Sequence, residues 1–204
     1  MKEFLQTLLA FAVILTAGCG EQAQQSPAPS PAPAPAPKAA DSSKPLPEDV
    51  AQAAWTGDVE AVKKALEGGQ DIDARDSFGS TMLLLSCVVG KAEITKLALE
   101  NGADLEIPNN EGNRPLFNAA FFCHADILKL LIEKGANVNA PDKQGATPLD
   151  IAASEWSAEL EGIYRFIGGI LKLDIDLERI KKDRGTIAKI LAENGGKTAD
   201  PKDK

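Results

Sequence analysis

Apolar positions between Glu48 and Gly196 fall into blocks separated by polar, glycine-marked stretches. One block, residues 112–140, shows the order of elements. Pro115 stands where the first turn of a helix tolerates a missing N–H. Ala119 and Ala120 are small enough for a neighbouring helix to approach closely. Ile127, Leu128, Leu130 and Leu131 then follow at helical spacing and predict a second helix. Gly135 sits where a helix ends in a left-handed residue. Asn137-Val138-Asn139, followed by Asp142-Lys143-Gln144-Gly145, is an extended-turn-extended signal. The unit therefore reads helix, turn, antiparallel helix, β-hairpin tip.

The same marks return every 33 residues: Gly69, Gly102 and Gly135; Gly79, Gly112 and Gly145; Leu83, Leu116 and Leu149; Lys63, Lys96 and Lys129. A fixed period of this size means stacked supersecondary units. Their bounds are about 48–75, 76–108, 109–141 and 142–196, with a polar tail at 197–204. Gly145-Ala146-Thr147-Pro148-Leu149-Asp150-Ile151-Ala152-Ala153 resembles the opening of an ankyrin repeat. Gly102-Ala103-Asp104-Leu105 and Gly135-Ala136-Asn137-Val138-Asn139 resemble its closing. The resemblance covers about residues 48–196 with one interruption. It implies an all-α repeat solenoid of paired antiparallel helices with short β-hairpin tips. The first unit keeps Ala53-Ala54 and Gly69 but lacks the opening motif, as expected of an N-terminal cap. Leu84, Phe117 and Asp150 replace the family's His, so hydrogen bonds between adjacent turns are expected to be missing. Met82 and Ser86-Cys87 depart from the pattern in unit two, which is expected to be the less rigid one.

The last unit is too long. Pro115 to Gly135 spans 20 residues and Pro148 to Gly195 spans 47, an excess of 27. The closing helix reappears at Ile187–Gly195, which places a helical insertion at about 155–183, between the two helices of the last repeat. Ile163, Phe166, Ile167, Ile170 and Leu171 share helical spacing, and Ile175, Leu177 and Ile180 extend a second face. Gly168-Gly169 predicts a bend there or a break before Asp174. Two roles stay open: a cap over the last repeat, or a lid or docking element.

The resemblance implies binding of another protein through the tips and the inner helix face. The two residues after each Ala pair are commonly polar in the family. Here they are Trp55-Thr56, Val88-Val89, Phe121-Phe122 and Ser154-Glu155, so three successive units carry large apolar groups at one place. Trp55, Val88, Val89, Phe121 and Phe122 are partner-binding candidates if the strip is exposed. If the insertion or the termini cover it, they are core. Arg75, Phe78, Asn110, Glu111, Arg114 and Lys143, at or near the tips, are secondary candidates.

The N-terminal residues read as an address. Lys2 precedes an apolar run from Leu8 to Ala17. That run is too short for a bilayer core, which takes about 20 residues, and suits a secretory signal over 1–18. Leu15-Thr16-Ala17-Gly18-Cys19 resembles a bacterial lipobox, with Thr16 where the family usually has Leu, Val or Ile. The resemblance implies lipidation of Cys19, with several acyl chains giving stable attachment. Gly20, where an Asp often retains such proteins at the inner membrane, implies the outer membrane facing the periplasm if the source has two membranes. Residues 19–47 form the linker, and 8 of the 13 prolines lie between Pro27 and Pro47. Their alternation with Ala and Ser blocks helix and favours a semi-rigid spacer reaching up to roughly 80 Å.

A net charge of −8 without a Lys/Arg stripe argues against nucleic-acid binding. Three cysteines are too few for a disulfide framework, and Cys87 and Cys123 read as buried small apolar residues. The single His, His124, lies after the first helix of unit three, where the family often carries His, and reads as structural. No nucleophile elbow, phosphate loop or metal spacing is found, so no enzyme activity, cofactor or metal is expected. Asp71/Asp73 and Asp174/Asp176 suit turns or helix starts better than a catalytic dyad. The chain is thus expected to be a monomeric, lipid-anchored module that binds an envelope or periplasmic protein. Two other readings are an inhibitor or immunity-type protein blocking a periplasmic enzyme, and a structural tether without inhibitory activity.

Overall fold

Local signals set each helix pair. Thr81 precedes the apolar run 82–89, and its hydroxyl accepts from the Leu84 amide at 3.2 Å, capping the helix. Gly90 then ends that helix in the left-handed region at φ 78°. Thr147 and Asp150 cap reciprocally in the last repeat, with Pro148 in the first turn. The computed structural model describes residues 45–199. Its helices are α1 (Glu48–Thr56), α2 (Val59–Glu67), α3 (Met82–Val89), α4 (Ala92–Glu100), α5 (Pro115–Phe121), α6 (Ala125–Glu133), α7 (Pro148–Ala153), α8 (Ala158–Leu171) and α9 (Leu177–Glu193).

The helices form two layers of a solenoid. In the inner row α1, α3, α5 and α7 stack in order, and α2, α4, α6 and α9 form the outer row, each pairing with its inner partner. The fold is the all-α repeat solenoid that the period predicts. Outer helices bury one stripe, as α6 does with Ile127, Leu128 and Leu131. Inner helices are enclosed on more sides: every residue of α3 from Met82 to Val88 is buried. One apolar core runs from Leu46 and Val50 to Ile94, and a larger one from Leu83 through Leu131 to Leu191. Burying each such Leu or Ile contributes about 1.5–3 kcal/mol.

The tips are tight turns rather than strand pairs. Among the described residues there is no strand, and the one isolated bridge joins Arg75 and Thr81. The physical reason is the length of the arms: Thr81, Arg114 and Thr147 already begin helices, which leaves each turn only two backbone bonds. One runs from Asp76 N–H to Ser80 O, Asn109 to Asn113, and Asp142 to Ala146, and the other from Gly79 N–H to Asp76 O, Gly112 to Asn109, and Gly145 to Asp142, at 2.9–3.1 Å.

The insertion is α8 together with the first turns of α9. The segment 177–183 is not a separate helix but runs directly into the closing helix, and Ile180 joins the core. The helix is not interrupted at Gly168-Gly169; α8 continues to Leu171 and stops at Lys172 in the left-handed region, φ 53°. The chain thus breaks before Asp174. Unlike the other helices, α8 makes no extended backbone approach to another helix. No helix among the described residues is long and apolar enough to cross a membrane.

Candidate partner-binding surfaces

The tips form a ladder with the period of the repeat. Asp76 Oδ1 accepts from the Phe78 and Ser80 amides, Asn109 Oδ1 from Glu111 and Asn113, and Asp142 Oδ1 from Gln144 and Ala146, all at 2.8–3.0 Å. Each side chain fixes its own turn from within. Successive tips are then tied together. The Asn110 amide donates to Phe78 O at 2.9 Å and the Lys143 amide to Glu111 O at 3.3 Å. Asn110 Nδ2 reaches Ser77 O, and Lys143 Nζ reaches Asn110 O. Arg75 donates to Gly79 O and, across the unit boundary, to Pro108 O at 2.6 Å. Arg114 does the same to Pro141 O at 2.9 Å and pairs with Glu106 at 3.3 Å.

This separates the tip candidates. Arg75 and Arg114 are half-buried structural ties, and Glu111 is half-buried as well. Asn110 and Lys143 are exposed at the edge of the ladder. Phe78 stands apart: it is 64% exposed, the most open of the large apolar side chains among the described residues. The loops behind the tips repeat the theme. Asp73 Oδ1 accepts from the Asp104 amide and Glu106 Oε1 from the Asn137 amide. Asn139 holds Gly195 O and the Lys197 amide. Burial raises the carboxyl pKa values of Glu106 and Asp142 despite these donors.

The apolar strip is not open. Val88 and Phe122 are buried, and Trp55, Val89 and Phe121 are half-buried. They form one cluster with Leu84 and with Ile167, Leu171, Leu173 and Ile175 of the insertion. Of the two readings of the strip, the structure has the covered one, and α8 and the loop after it provide the cover. Charged substitutions at Phe121 and Phe122 would therefore test the fold rather than a free surface.

Three polar side chains that sequence reasoning missed dock the insertion. The Tyr164 hydroxyl donates to Phe121 O at 2.7 Å. Arg179 donates to Cys123 O at 3.0 Å and Phe122 O at 3.1 Å. Arg184, 5% exposed, donates to Ile151 O, to Ser154 O at 2.9 Å, to Ser154 Oγ at 2.6 Å and to Tyr164 Oη at 3.2 Å. These donors satisfy carbonyls at the C-terminal ends of α5 and α7, where positive charge is also favoured by the helix dipole. Phe121 packs on Tyr164 with ring centroids 4.6 Å apart, and Trp156 stacks on Tyr164 at 5.8 Å.

His124 is structural in this geometry. Its Nε2 lies 3.2 Å from Val88 O, tying unit three to unit two, and burial lowers its pKa. In unit two, Ser86 and Thr95 share a buried hydrogen bond at 2.8 Å between α3 and α4. Cys87 and Cys123 are buried free thiols, their pKa values pushed by burial up to about 12 and about 11. No group of three or more His, Cys, Asp or Glu that could hold a metal occurs among the described residues. Cys19 lies outside those residues.

Residues 50–142 match the family model of ankyrin repeats, in three copies. The match covers the first three units and stops at the fourth, the one the insertion divides. No curated protein matches the chain. Ankyrin repeats generally mediate protein–protein interaction and form a non-enzymatic family.

Proposed function

We propose that this ankyrin-repeat array is a protein-binding module of a bacterial envelope, attached by a lipid on Cys19 and meeting its partner first at the tips. The observation that carries the reading is Phe78, a large apolar side chain left 64% exposed on a turn locked by Asp76 and by the next tip. An aromatic presented on a rigid turn loses little entropy on binding and is the kind of group that dominates interfaces. Asn110 and Lys143, exposed along the same edge, supply the polar rim. The lipobox resemblance and the proline-rich spacer support attachment at a membrane, with the array held off the surface.

The test is crosslinked co-purification of the tagged full chain from intact cells, wild type against Phe78→Asp. A protein recovered with wild type and lost with the variant supports tip docking, since a charge at an exposed turn leaves the fold intact. Equal recovery overturns it. Lipid labelling of Cys19→Ala checks the attachment separately: loss of label supports it and unchanged label overturns it.

A further inference from the structure

Only one side of α8 is spent on the repeats. Its inner side, with Tyr164, Ile167 and Leu171, packs into the cores beneath. Its outer side carries Glu159, Gly162, Phe166, Gly169 and Ile170, all exposed, with half-buried Ile163 at the edge. Helical spacing gathers these residues on one face. Phe166 and Ile170, 38% and 43% exposed, are two of the three large apolar side chains left exposed among the described residues, and they lie one turn apart. The face is not a surface of the repeats themselves, since the family match ends at residue 142. Two of its glycines have no reason within the chain. Gly168 is accounted for, because a Cβ there would meet Leu173 O at 3.1 Å. A Cβ on Gly162 or on Gly169 would meet nothing within 4 Å. Glycine weakens a helix interior relative to alanine, so two of them on an open face are a cost that the fold does not recover. A second helix lying close against that face would recover it.

We propose that the outer face of α8 pairs with the same face of a second copy of this chain, as an antiparallel two-fold contact centred on Phe166. Residues equally far from Phe166 then face each other. Ile163 meets Gly169 and Ile170 meets Gly162, large against small, and symmetry makes each contact twice. Gly169 also borders an open groove of about 490 Å³, lined in part by Arg165 and Lys172, which leaves room for the incoming side chain. Charge selects both the occupant and its direction. Glu159 is exposed near the N-terminal end of the face and Lys172 at its C-terminal end. Antiparallel pairing sets each Glu159 beside the second copy's Lys172. Parallel pairing would oppose like charges and press Ile170 against Ile170. The patch is a single helix long, less than a permanent dimer buries, so the pair is weak and exchanges with the monomer expected from the sequence. The inner side of α8 keeps its cover over the repeats, and neither the tips nor the lipid takes part.

The test uses the purified full chain carrying Cys19→Ser, so that neither acyl chains nor that thiol can join two copies. Sedimentation velocity over rising concentration should show the mass pass from one copy towards two. Phe166→Ser removes the centre of the contact. Gly169→Leu makes the face more apolar but blocks close approach, so its effect separates pairing from mere stickiness. Both positions are exposed, and circular dichroism checks that each variant folds. Each should weaken association at least about tenfold. A chain that stays monomeric up to about 1 mM overturns the proposal, as does either folded variant associating as well as the parent. Direction is read by disulfide trapping. With the pair centred on Phe166, Gly162→Cys lies opposite Ile170→Cys, whereas each lies about 12 Å from its own counterpart at about 1.5 Å per residue, too far for a disulfide. A mixture of the two proteins should therefore crosslink much faster than either alone. Equal rates would overturn the antiparallel pair.

Discussion

Replacing Tyr164 by Phe removes one oxygen from the seam where the insertion meets the repeats. The ring keeps its stacking on Trp156 and Phe121, so the perturbation is confined to the hydroxyl. That hydroxyl donates to Phe121 O at 2.7 Å and accepts from Arg184 at 3.2 Å. Losing a buried hydrogen bond costs about 1 kcal/mol net, and stranding a carbonyl adds a desolvation penalty of about 1–3 kcal/mol. Arg184 keeps its bonds to Ile151 and Ser154, which limits the loss on that side. The expected destabilisation is about 2 kcal/mol, or a fall in Tm of about 4–8 °C for a chain of this size. Urea unfolding followed by circular dichroism and by Trp156 fluorescence, in a Trp55→Phe background, measures it. The Tyr164→Phe/Arg184→Met double mutant should show a coupling of about 1 kcal/mol between the two residues. A single-mutant loss below about 0.5 kcal/mol, or additive losses, would refute the view that this hydroxyl joins α8, α5 and α9.

Three further outcomes are expected. Gly169→Ala places its Cβ in open space on α8 and should stabilise the protein by about 0.5–1 kcal/mol, whereas Gly168→Ala meets Leu173 O at 3.1 Å and Ile175 at 3.2 Å and should destabilise it; thermal melts compare the two. His124 has a folded pKa below its ordinary 6.5, so the unfolded chain takes up the proton first and stability falls as pH drops below 6.5 towards the folded value, then levels off. The pH dependence of urea unfolding, wild type minus His124→Gln, should carry that slope; its absence would mean that the imidazole is not held neutral against Val88 O. Cys87 and Cys123, with thiol pKa values of about 12 and about 11, should resist iodoacetamide at pH 8 in the native protein and react once urea is added, as mass spectrometry would show.

The repeat was legible because stacking demands the same residue at the same place in each unit. Gly102 and Gly135 both adopt the positive φ, 81° and 91°, that their position predicts. The insertion was legible as an excess of 27 residues between Pro148 and Gly195. Its orientation was not. Phe166 and Ile170, which stay exposed, are as apolar as the residues that turned inward, so spacing alone could not choose between the stripes. The choice fell to Tyr164, whose polar tip has a carbonyl to meet, and to Gly168, which lets the loop at Leu173 come close. Arg179 and Arg184 lie in a run with Lys181, Lys182 and Asp183 that reads as solvated surface. They are drawn inward because the C-terminal carbonyls of α5 and α7 need donors, a demand set by residues some 30 to 57 positions away. The turn role of Asp76, Asn109 and Asp142 did have a signal, their shared period of 33, although the same stretch read as extended arms.

A stacked array ordinarily has a simple unfolding order, since each repeat touches only its neighbours and the ends fray first. Here that linear order is interrupted. Ile167 and Leu171 of the fourth unit lie in one cluster with Val88 of the second and Phe122 of the third. The segment acts as a buttress thrown back over the stack, so loosening at the C-terminal end is felt two repeats upstream. It also introduces contacts of long sequence separation into a fold otherwise built from local ones. Such contacts form late, because the chain between them must first be ordered. The repeats should therefore assemble quickly as a row, with seating of the buttress as the slow final step that turns four units into one cooperative body.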